Sequence, residues 1–192
     1  MHGSPSTEPL RLSRSKRLQI SWNRSRRAGT APKFRFPPRI AVSYLVARPS
    51  RDLVLAAHQQ VTQDWWLQER AGYDCITSTE VLREAAQGDA AMSGLRLDAL
   101  RKLELVTVTS DAEAMAEALL QSGVLPPAVR ADALHLALAS LNDADYLLTW
   151  NCRHLANANI LKRLRKESAS RGWRLPLVCT PLELMGDSLP DL

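Results

Sequence analysis

The sequence has no glycine-rich loop of the dinucleotide-binding or P-loop kind, which argues against a nucleotide-cofactor α/β enzyme. No apolar run approaches the roughly 18 residues of a membrane span, so no membrane association is expected. Cysteine is scarce: Cys75, Cys152 and Cys179 are far apart, odd in number and without zinc-ligand spacing. That pattern excludes a disulfide framework. Each cysteine falls in or beside a predicted strand, which predicts buried thiols and fits a reducing cytoplasm. Acid is missing from one region altogether, because no Asp or Glu occurs between Glu8 and Asp52.

The 192 residues suffice for one domain with a true core and some chain to spare. The net charge of +5 is unevenly spread. Residues 1–40 hold ten Arg and Lys against the single acid Glu8, and the remainder carries more acids than bases. The remainder therefore offers no electrostatic argument for binding nucleic acid. Residues 1–39 are rich in Ser, Arg and Pro, lack apolar periodicity and read as a separate segment. A disordered basic tail, an organelle-targeting peptide and a non-native start are the three readings of that segment. Residues 40–192 read as one domain.

From residue 40 onward the pattern alternates between helix and strand, as α/β folds do. Helix is predicted over 53–70 with Ser50 as cap, over 80–87 with Gly88 as the stop, and from Asp89 to Leu100. Ser110 to Glu113 reads as a capping box opening a helix to Leu120, and 153–171 reads as a charged helix. Strands are predicted over 73–77, 103–109 and 175–179, and Thr180, Pro181 and Glu183 open a short last helix.

The segment ADALHLALASLNDADYLLTWNCRH, residues 131–154, carries the most information. Leu134, Ala137, Leu138 and Leu141 recur at helical spacing, and Ala133 and Leu136 fill in beside them. Such a helix is apolar nearly all round and should be buried. Tyr146 to Leu148 reads as a strand covered on both faces. Asp132 opens the helix and Asn151 follows the strand, so two oxygen-bearing side chains fall toward one end of a parallel sheet.

With SYLVARPSRD (43–52), VLREAAQGD (81–89) and VCTPLELMG (178–186), this segment resembles the PIN-domain family, and within it the VapC-like toxins of toxin–antitoxin pairs. The resemblance spans about residues 41 to 187, roughly three quarters of the chain. It implies an α/β fold, a PIN-like three-layer α/β/α sandwich around a central, mostly parallel sheet. It also implies a Mg²⁺- or Mn²⁺-dependent endoribonuclease, restrained by a cognate antitoxin and homodimeric. Glu84 and Asp132 match the family's metal-binding acids, and Asn151 stands where many relatives carry a third carboxylate. Each has a plainer reading: Glu84 as a solvated carboxylate near Arg83 or Gln87, Asp132 as a helix-dipole partner, Asn151 as a turn residue. Glu80, Thr149, Arg153 and His154 are neighbours that either support the site or serve the local structure. Lys162, Arg163, Arg165 and Lys166 read as a solvated face, and Trp65 and Trp66 as helix packing or a dimer contact.

The family pattern breaks near residue 40. Its first strand ends in an acid, but here FRFPPRIAV precedes SYLVARPSRD and the acid's position falls near Pro38. Pro37 and Pro38 lack ladder N–H groups and oppose a central strand. The charge balance breaks at the same place. The first strand is therefore expected to be replaced or missing, through a reading-frame change or a misassigned start. The corresponding alternative function is a catalytically impaired PIN scaffold that only binds RNA or antitoxin.

Overall fold

The computed structural model describes residues 33–35 and 39–185. They belong to a compact unit spanning Pro32–Leu192. Strand β1 is Lys33–Arg35, β2 Asp74–Ser78, β3 Glu104–Val106, β4 Tyr146–Leu148 and β5 Leu177–Cys179. All pairings are parallel, in the order β3-β2-β1-β4-β5. The helices are α1 (Arg39–Val46), α2 (Leu53–Gln68), α3 (Thr79–Ala85), α4 (Ala90–Leu100), α5 (Ser110–Gln121), α6 (Arg130–Leu141) and α7 (Ala158–Ser170).

Of the expectation that the first strand is replaced or missing, the second half is corrected: a strand is present. Lys33–Arg35 is a strand at the centre of the sheet, with Phe34 opposite Cys75 on one side and Tyr146 on the other. The described strand ends at Arg35, and Pro37 and Pro38 lie outside the described residues. This strand falls inside the segment 1–39 that the sequence set apart. Residues 1–32 and 36–38, with the position near Pro38, lie outside the described residues.

Both faces of the sheet are covered. Leu147 and Leu148, neighbours on β4, belong to two different apolar clusters. Successive strand residues point to opposite faces, so one cluster lies on each side. Leu147 packs with Met115 and Leu119 of α5, Leu136 of α6 and Leu164 of α7. Leu148 packs with Val42 of α1, Trp65 of α2, Val81 of α3 and Leu100 of α4. Val178 and Cys179 on β5 divide in the same way. Burying a leucine of this kind fully contributes about 1.5–3 kcal/mol.

Several boundaries move for local reasons. The cap of α2 is Asp52, whose carboxylate accepts from Leu55 N, rather than Ser50. The cap of α5 is Thr109, whose hydroxyl accepts from Ala112 N, rather than Ser110. Helix α7 begins at Ala158 instead of residue 153, because Asn157 takes the cap and accepts from Asn159 N and Ile160 N. Gly88 has a φ of 90°, which the sharp exit after α3 needs. The tight α6–β4 connection places Asp143 at φ 54°, a conformation Asp tolerates better than most residues. Cys75 and Cys179 are buried, but Cys152 is exposed, since it lies in the turn beyond β4 rather than in the strand. No helix among the described residues is long and apolar enough to cross a membrane.

Candidate functional site

The strand order reverses direction between β1 and β4. In open parallel sheets that reversal opens a crevice at the carboxyl ends of the strands. Asn151 follows β4 there, and α3, which carries Glu84, leaves β2 at the same edge. The exit from β2 is set by Ser78, whose hydroxyl accepts from Val81 N at 3.2 Å and caps α3. Asp132 lies in the first turn of α6, where its negative charge meets the positive end of the helix dipole.

Asp132 and Asn151 meet directly: Asn151 Nδ2 donates to Asp132 Oδ2 at 2.7 Å. Asn151 is itself fixed at both ends. Its backbone N–H donates to the buried Thr149 hydroxyl at 2.9 Å, and its Oδ1 accepts from His154 N at 3.2 Å. Asn151 thus turns its amide nitrogen toward the carboxylate and orients Asp132. Asp132 is only 8% exposed. Burial pushes its carboxyl above the usual carboxylate range, the nearby Glu84 adds to that, and His135, His154 and the Asn151 hydrogen bond oppose it.

Glu84 belongs to the same group. Its Oε2 lies 3.4 Å from His135 Nε2, one turn along α6 from Asp132. The two atoms are close enough for an ion pair if His135 is protonated, but not aligned as a hydrogen bond. Both are buried, and each is without a hydrogen-bond partner. Arg83, the partner expected for Glu84, pairs instead with Glu80, in a bidentate contact at 2.9 and 2.5 Å. That hydrogen bond, helped by the charges of His135 and Arg130, holds Glu80 below its ordinary range against the opposing effect of burial. His135 went unnoticed in the sequence because its neighbours read as a uniform apolar helix. The signal was its spacing, three residues after Asp132 and so on the same face.

The other polar residues serve the local structure. Asp145 Oδ1 accepts from Arg174 Nη2 at 2.8 Å at the sheet's opposite edge. Lys162, Arg163, Arg165 and Lys166 are all exposed, as a solvated face requires. Trp65 is fully buried in the core, and Trp66 is half-buried with the Arg70 guanidinium over its ring.

The donor chemistry suits a hard divalent cation. Mg²⁺ commonly takes one or two carboxylates and completes its shell with water and substrate phosphate. Asp132 and the unpartnered Glu84 Oε2 are two such oxygens, held by separate helices in one electrostatic neighbourhood. Among the described residues no group of three or more His, Cys, Asp and Glu side chains is arranged to hold a metal. A site here would therefore rest on the two carboxylates. No family model matches the chain, and no curated protein matches it.

Proposed function

We propose that the chain is a metal-dependent endoribonuclease with a PIN-like sandwich fold, hydrolysing RNA phosphodiester bonds at the Glu84–Asp132–Asn151 cluster. One observation carries this reading: a buried carboxylate, a second, partly buried one and an amide come together from three elements at the edge of a parallel sheet, and the buried Glu84 Oε2 has no hydrogen-bond partner. A buried acid whose ionisation is perturbed, as burial perturbs that of Asp132, is a candidate for a functional role. Glu84 and Asp132 would hold Mg²⁺ or Mn²⁺, which when bound supplies positive charge at the phosphate and an acidic water. Asn151 keeps the Asp132 carboxylate pointed, and Thr149 keeps Asn151 in place. A cognate antitoxin, a homodimeric state and a cytoplasmic location belong to the same proposal, on the strength of the resemblance.

A second reading is favoured by a specific feature of the chain, the absence of any acid between Glu8 and Asp52. It is a PIN-like scaffold that binds RNA or antitoxin without cutting. Incubation of the purified chain with RNA and Mn²⁺, with and without Asp132→Ala, separates the two. Cleavage that needs Mn²⁺ and is abolished by the substitution establishes the nuclease. RNA left intact by a chain that binds it leaves the scaffold.

A further inference from the structure

Buried polar atoms in folded proteins find hydrogen-bond partners as a rule, so a facing pair without them needs a reason. Glu84 Oε2 and His135 Nε2 are such a pair. They come from α3 and α6, stand 3.4 Å apart, and neither has a hydrogen-bond partner. The His135 side chain is 2% exposed and the Glu84 side chain 13%. If Nε2 carries no proton, two acceptors face each other out of water. If it carries one, no aligned bond reaches the carboxylate, and the contact poorly repays the desolvation of both groups. A cation held by both atoms satisfies each of them. An ion about 2.1 Å from each atom would subtend about 108°, close to the tetrahedral angle that Zn²⁺ takes. The Glu84 side chain keeps a margin in solvent, so the pair is not sealed from entry.

The surroundings narrow the ion. Asp132 lies three residues before His135 on the same face of α6, within electrostatic reach of both His135 and Glu84. A carboxylate and a histidine at that spacing on one helix, opposed by a glutamate from another, form the ligand pattern that helical bundles use for iron and manganese. We propose that His135 is a metal ligand of this site, its Nε2 joining Glu84 Oε2 on one ion, which makes the site selective for an imidazole-binding transition ion of the Zn²⁺ or Fe²⁺ kind over Mg²⁺. This rests on the reading of the cluster as a metal site. Glu84 and His135 already stand at chelating separation, whereas Asp132 does not form a group of three with them. Imidazole nitrogen suits zinc and iron, while Mg²⁺ takes oxygen ligands and keeps several of its own waters. A buried nitrogen donor therefore adds affinity that Mg²⁺ does not share.

Co²⁺ is the probe, added to the untagged full chain. Proton NMR of the Co²⁺-loaded chain should show a strongly shifted, exchangeable imidazole N–H proton. His135→Gln should abolish it, and His154→Gln, at the neighbouring histidine, should keep it. Isothermal titration calorimetry should give Co²⁺ binding at least about tenfold tighter than Mg²⁺, and His135→Gln should lose most of that margin while Mg²⁺ binding stays. Co²⁺ bound by the wild-type chain without a shifted imidazole proton overturns the nitrogen ligand, leaves the carboxylate metal site standing and needs no variant that folds. A shifted proton that survives His135→Gln overturns the nitrogen ligand as well. No binding of either ion removes both readings.

Discussion

Helix α6 buries every residue from Asp132 to Ala139, whereas α7, which packs into the same apolar cluster, buries only Leu164 and Ser168. The two helices flank β4 in the chain and are similar in length, but they treat charge in opposite ways. On α7 the Lys and Arg side chains stay in water, where they cost nothing. On α6 an acid and a histidine are taken into the core, and Asp132 registers the cost as a carboxyl pushed upward by desolvation. A buried charge lowers stability unless its setting compensates. The contrast shows where this fold accepts such a cost: at the end of α6 nearest Asn151 and Glu84, and nowhere on α7.

Three changes would break or sharpen that contrast. The largest effect is expected from Leu136→Ala, which empties a fully buried position on α6. A loss of about 2–5 kcal/mol in denaturant unfolding is expected, and a loss under half of that would mean α6 is not the packed centre of its cluster. Next is Asp132→Asn. The folded carboxyl sits above its ordinary value of 3.8. The folded chain therefore holds a proton that the unfolded chain releases, and stability falls as pH rises from 3.8 through the folded value. Above that window the native carboxylate is a full liability. The amide should be more stable than wild type at neutral pH, with the gain shrinking as pH drops through the folded value toward 3.8. Urea midpoints across pH check this, and a gain independent of pH would refute it. The smallest effect is expected from Lys166→Ala on the exposed face of α7, within about 0.5 kcal/mol by the same unfolding measurement.

Much of the α6–β4 region was legible in advance. Its helix, four-residue connection and strand follow from apolar spacing, and the first-turn acid follows from helix polarity. Asp89 caps α4 as its position before an amphipathic run suggests, with its carboxylate accepting from Met92 N. The capping box at Thr180 and Glu183 forms too, with Thr180 N donating to Glu183 Oε2 at 2.7 Å, although the turn it opens is a 3-10 helix at Leu182–Leu184. At Thr109 and Ser110 either hydroxyl could cap. The extended backbone of Thr109, at φ −108° and ψ 161°, decided between them, and no residue preference encodes that choice. Strand β1 was illegible for a stronger reason. The alternation of Lys-Phe-Arg is too short to signal a strand against its basic, proline-flanked setting, and it is a strand because β2 and β4 stand on either side to pair with it.

The sequence by itself determined the alternation of helix and strand, the burial of α6, the solvation of α7 and the identity of the three residues with oxygen to offer. These are local properties, set by spacing along one element and by the solvent each side chain prefers. Only the tertiary structure decided that Glu84 faces His135, that Asn151 turns its nitrogen to Asp132, and that Trp150 is tied to a threonine 88 residues away. Those contacts depend on the register of strands and the exit angles of helices far apart in the chain, and hydrogen-bond geometry of that kind leaves no trace in the periodicity of either partner.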